Sequence, residues 1–86
     1  MKISVELTLT PLQNDFEPPI INFIKSLRAS GLAVLENPLS TQVFGDYDVV
    51  MDIIKKEAKT ALEAMENGLL YLKIVKTDRS DYEPHF

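Results

Sequence analysis

Glu6 is the residue with the clearest chemical potential in this chain. It lies in the middle of Lys2 to Thr10, where Ile3, Val5, Leu7 and Leu9 alternate with Ser4, Glu6, Thr8 and Thr10. A carboxylate in mid-strand needs a partner, because a charge held out of water without one is costly. Lys73, in an apolar run late in the chain, can pair across to Glu6 on an adjacent strand or act as a tuned base. Other chemically suggestive residues have simpler explanations. His85 is the only histidine and there is no cysteine, so a nitrogen and sulfur metal site cannot be assembled. Asp46, Asp48 and Asp52 look like cation ligands, yet the macrodipole alone favours carboxylates around a helix N-terminus. Ser4, Ser26, Ser30, Ser40 and Ser80 have no neighbouring histidine to act as base. The three glycines form neither a phosphate-cradling loop nor a nucleophile elbow.

Composition narrows the function classes. With 86 residues, 45% hydrophobic and 26% charged, the chain reads as one globular domain spanning residues 1–86. A domain of this size buries only about 60–65% of the surface of its unfolded chain, so self-association is expected as a further source of burial. The net charge of −4 speaks against DNA or RNA, whose binding needs clustered Lys and Arg. Absence of cysteine rules out thiol catalysis and disulfides and fits a reducing compartment, so a cytoplasmic location is expected. Glu6 interrupts the apolar stretch that a signal peptide needs, and no later run reaches membrane-spanning length, so no membrane association is expected.

The elements that must position Glu6 follow from periodicity and breakers. Strict alternation from Lys2 to Thr10 predicts a half-buried strand ended by Pro11. Gln13-Asn14-Asp15 offers capping side chains, Pro18 and Pro19 suit the first turn of a helix, and Ile20, Phe23, Ile24 and Leu27 form one helical face. Ser30-Gly31 closes that helix. Leu32 to Glu36 and Ser40 to Phe44 form a hairpin around Asn37-Pro38-Leu39. Asp46 is the expected N-cap of a longer helix with a stripe of Val49, Val50, Ile53, Ile54, Ala58, Ala61, Leu62 and Met65. Asn67-Gly68 stops it, and Leu69 to Val75, apolar on both faces, predicts a strand buried on both sides. Residues 78–86 are a polar tail, expected to be loosely held.

The order β-α-β-β-α-β predicts an α+β, ferredoxin-like domain: a four-stranded antiparallel sheet with two helices on one face. Glu6 and Thr8 then lie on the open face, and Tyr71, Lys73 and Val75 share a face of the last strand. For the hairpin strand, parity groups Thr41 with Val43 and Gln42 with Phe44; the first pair is taken as facing outward. The candidate ligand-binding set is therefore Glu6, Thr8, Thr41, Val43 and Lys73. An open face of this mixed character meets either a second subunit or a ligand.

Several segments together resemble the small thiamine-binding protein family: Glu6 through Pro11-Leu12, Ser30-Gly31-Leu32, the run Asn37-Pro38-Leu39-Ser40-Thr41-Gln42-Val43-Phe44-Gly45-Asp46-Tyr47-Asp48, Asn67-Gly68 to Lys73-Ile74, and Asp78-Arg79-Ser80-Asp81. The resemblance implies a ferredoxin-like domain that assembles into dimers or tetramers, captures thiamine through its aminopyrimidine ring, and has neither catalytic activity nor a cofactor. Of the matched positions, Pro11, Gly31 and Gly45 serve backbone geometry, and Glu6 and Thr41 are left as polar anchors. Family members carry a hydroxyl residue at the start of the first helix, where this chain has Glu17-Pro18-Pro19, so contacts made there do not transfer. The expected ligand is thiamine or its hydroxymethylpyrimidine moiety, with a related metabolite left open by this departure. The alternatives are a module that buries its open sheet against another protein and, behind it, an enzyme using Glu6 and Asp48 as acid and base.

Overall fold

The computed structural model covers residues 1–86. It contains β1 (Lys2–Pro11), α1 (Glu17–Arg28), β2 (Ala33–Glu36), β3 (Thr41–Asp46), α2 (Tyr47–Ala64) and β4 (Gly68–Lys76). The strands form one antiparallel sheet in the order β2-β3-β1-β4. This is the expected ferredoxin-like α+β arrangement. The core lies between sheet and helices: Ile3, Val5, Leu7 and Leu9 of β1 and Val43 of β3 meet Phe23 and Leu27 of α1 and Val50, Ile54 and Ala61 of α2.

Local signals work by routes partly different from those expected. Pro18 and Pro19 do sit in the first turn of α1, but its N-cap is Phe16, and no side chain caps it. Gln13 serves another purpose: its Nε2 donates to the Asp15 carbonyl at 2.7 Å and its Oε1 accepts from the Glu66 N–H at 2.9 Å, tying the β1–α1 loop to the end of α2. Asp46 stands at the N-cap of α2 without capping it, and its carboxylate lies 3.6 Å from Lys2 Nζ instead. Gly31, at φ +87°, reverses the chain after α1 in a conformation that L side chains rarely adopt. A Cβ at Gly68 would come within 2.9 Å of the Thr10 carbonyl, so only glycine lets β4 start this close to β1.

Two expectations are corrected. The apolar character of β4 does not reflect burial on both sides. As the outermost strand it has one neighbour, β1, and the helices cover it incompletely. Leu72 is 38%, Ile74 45% and Tyr71 55% exposed. The start of the tail is not loose either. Thr77 N–H donates to the Lys2 carbonyl at 2.9 Å, and Ser4 Oγ donates to the Thr77 carbonyl and accepts from the Arg79 N–H, both at 2.8 Å. The turn needed for this places Thr77 at φ +110°, a strained setting for a β-branched residue. No helix is long and apolar enough to cross a membrane.

Candidate functional site

Residues paired across antiparallel strands point to the same face, so the register assigns every side chain of the sheet. One rung of the open face runs Leu35, Gln42, Glu6, Lys73, and the next runs Ala33, Phe44, Ser4, Val75. The tail, pinned by Ser4, returns across this face and brings Arg79, Ser80 and Tyr82 over it. Strand rungs and tail together bound a hollow of about 300 Å³. Leu35, Phe44, Val75 and Tyr82 give it apolar walls, and Glu6, Gln42, Lys73 and Arg79 give it polar groups. Ser4 is buried although it belongs to the open face, because the tail covers it.

Glu6 sits at the centre of this arrangement. Ser40 Oγ donates to Glu6 Oε2 at 3.0 Å, drawing the carboxylate toward the β2–β3 turn. Lys73 stands directly opposite Glu6 in the register, yet no ion pair joins them. The expected pairing is therefore not formed, because the hydroxyl holds Glu6 on the far side. Oε1 accepts no hydrogen bond from the protein and remains available.

A second hollow, of about 190 Å³, opens at the other end of the sheet, between α1 and the β2–β3 turn. Thr8, Ile24, Asn37, Ser40 and Thr41 are among its lining residues. Thr8 shares the open face with Glu6, as its parity requires, but its Oγ1 leans to the Leu39 carbonyl at 3.5 Å and it lines this second hollow only. Ser40 lines one hollow and bonds the central carboxylate of the other.

Thr41 and Val43 do not face outward. Val43 pairs with Val5 and Val34 and is 0% exposed; Thr41 pairs with Leu7 and is 6% exposed. Both point toward the helices, and their neighbours along β3, Gln42 and Phe44, which pair with Glu6 and Ser4, occupy the open face instead. Alternation says which residues share a face, but only the pairing with β1 says which face that is. Sequence reasoning thus passed over Gln42, Phe44, Leu35 and Tyr82. The signals were partial: Gln42 and Phe44 share parity, and Arg79 stood in the matched Asp78-Arg79 pair.

Electrostatics around the site are simple. The Asp78 carboxyl is held below its ordinary value by the Ser80 hydroxyl and then by the Ser80 N–H at 2.9 Å, with the charge of Lys2 adding to them. That turn presents Arg79 and Ser80 to the hollow. Away from it, Arg28 grips Glu36 through two hydrogen bonds of 2.6 and 2.7 Å, tying the end of α1 to β2. This bond lowers the Glu36 carboxyl and raises the Arg28 guanidinium from their ordinary values. Asp46, Asp48 and Asp52 do not converge, since no three His, Cys, Asp or Glu residues are placed to hold a metal.

Comparisons agree with this architecture. The family described as thiamine-binding protein matches residues 5–86. A Thermotoga maritima structure, whose suggested role is thiamine biosynthesis or salvage, superposes with TM-score 0.81 at 23% identity, covering 90% of this chain and 85% of that one. A Streptococcus pneumoniae protein gives TM-score 0.84 at 26% identity over 91% and 89% of the two chains. A hypothetical protein from Methanocaldococcus jannascii gives 0.74 at 25% identity over 95% and 84%. No curated protein matches the chain.

Proposed function

The chain belongs to the thiamine-binding protein family, and from that premise we propose that it is a non-enzymatic cytoplasmic carrier, buffer or sensor that captures thiamine, or its hydroxymethylpyrimidine moiety, on Glu6. The observation that carries this reading is a carboxylate held by Ser40 through one oxygen while the other is free beside an apolar-walled hollow. An aminopyrimidine offers an exocyclic N–H next to a ring nitrogen, and a carboxylate engages both through a shared proton. Such a charge-assisted contact contributes about 1.5–3 kcal/mol. Phe44, Val75 and Tyr82 supply flat or branched apolar surface for the ring, and about 300 Å³ is at the lower end of ligand-pocket sizes. The suggested thiamine role of the Thermotoga maritima protein supports the same ligand class.

The protein acts, in this reading, as a homodimer or homotetramer. An exposed edge strand with apolar residues on both faces supports it, since such edges pair with another chain. The same exposure favours the competing reading, a module whose open face docks on a different protein. Calorimetric titration with thiamine and with hydroxymethylpyrimidine, comparing wild type with Glu6→Gln, separates them. Saturable binding weakened at least tenfold by the substitution is the expected outcome; no heat with either compound would leave the docking module.

A further inference from the structure

Lys73 and Arg79 both line the hollow that holds Glu6, and neither has an acidic partner. In a chain with 13 Asp and Glu against nine Lys and Arg, these two cations share one cavity. Their placement has a cause. Ser40 holds Glu6 toward the β2–β3 turn, so Lys73 loses the partner that the register puts opposite it. The backbone N–H of Arg79 is fixed on Ser4 Oγ at 2.8 Å, so its side chain starts from an anchored point on the rim. The nearest tail carboxylate, Asp78, is occupied by Ser80 and faces the charge of Lys2. Beyond the rim the cavity continues into an outer lobe lined by Lys73, Val75, Arg79 and Tyr82 alone.

The hollow therefore has two poles, a carboxylate at the β3 side and a pair of cations at the outer lobe. A ligand whose only charge is a cation meets repulsion at the second pole. One with an aminopyrimidine at one end and an anion at the other satisfies both, and a phosphate offers three acceptor oxygens to an ammonium and a guanidinium. We propose that the site takes its ligand as a phosphate monoester, with the aminopyrimidine on Glu6 and the phosphate between Lys73 and Arg79. This rests on the reading of Glu6 given above and adds the chemical form of the ligand.

The test compares thiamine with thiamine monophosphate by calorimetry, on wild type, Lys73→Met and Arg79→Gln, with inorganic phosphate as competitor. All three proteins are first shown to share one melting temperature, as expected for changes at exposed positions. Thiamine monophosphate is expected to bind about 10- to 100-fold more tightly than thiamine. Each substitution collapses that ratio toward one, and raising the salt narrows it through screening. Millimolar inorganic phosphate reduces the affinity for the ester more than that for thiamine. Equal affinities for the two compounds, or substitutions that weaken both alike, overturn the phosphate assignment while leaving Glu6 as the thiamine anchor. Failure of both compounds to bind removes the assignment and the reading beneath it.

Discussion

Ser40 donates a hydrogen bond of 3.0 Å to Glu6 across 34 positions of sequence, and this single contact decides where the central carboxylate points. Without it, Glu6 is free to turn to Lys73, its register partner on β4. Ser40→Ala is therefore expected to leave the fold intact and to weaken thiamine binding about fivefold, the equivalent of one hydrogen bond of roughly 1 kcal/mol. Unchanged affinity in calorimetry would mean that Ser40 does not orient the anchor.

Val43 and Gln42 give opposite outcomes. Val43→Ala opens a void in the core against Val5 and is expected to cost about 2 kcal/mol of stability in urea unfolding, with affinity of the folded protein retained. Gln42→Ala, on the open face, is expected to lower affinity with little change in stability. The reverse pattern would return Val43 to the ligand side.

How far these residues were legible in the sequence differs by element. Glu6 and Lys73 could be placed because β1 alternates without interruption and its two faces differ sharply in polarity. The hairpin strand carries Val43 and Phe44 side by side, one apolar residue on each face, so polarity could not choose between them. Only the register with β1 did. The run in β4 is apolar on both faces without being buried on both, and no local signal separates a buried strand from an exposed edge strand. Arg79 and Tyr82 reach the hollow because Ser4, far away in sequence, holds the tail.

Ser4→Ala removes both bonds that pin the tail, leaving the Thr77 carbonyl and the Arg79 N–H without their partner. A loss of about 1–3 kcal/mol is expected, with faster amide exchange at Arg79 and weaker ligand binding. Retained protection of the Arg79 amide would show that other contacts hold the tail.

Acid should loosen the same turn. The carboxyl of Asp78 has a folded pKa below its ordinary value of 3.8, so its contribution is fully present above that value and is lost as pH falls through the lower folded one. Resonances of Ser80 and Tyr82 are expected to hold steady down to about pH 4 and to shift below it. Asp78→Asn should abolish the titration; its persistence would assign the change to another group.

Association is expected to run through β4. Leu72→Lys places a charge at the middle of the exposed edge strand and should lower self-association at least tenfold in sedimentation. An unchanged oligomer would exclude this edge as the contact.

The Ser4 and Arg79 contact spans 75 positions, and Glu6 on β1 lies opposite Lys73 on β4 in the sheet register. The β1 wall of the hollow is thus synthesised before Leu35, Gln42 and Phe44, and these before Lys73, Arg79 and Tyr82. Because synthesis proceeds at about 5–20 residues per second, β1 waits seconds for β4 and the tail that complete its open face. A small molecule recognised by this hollow cannot template the nascent chain; it can select only molecules whose translation has passed Tyr82.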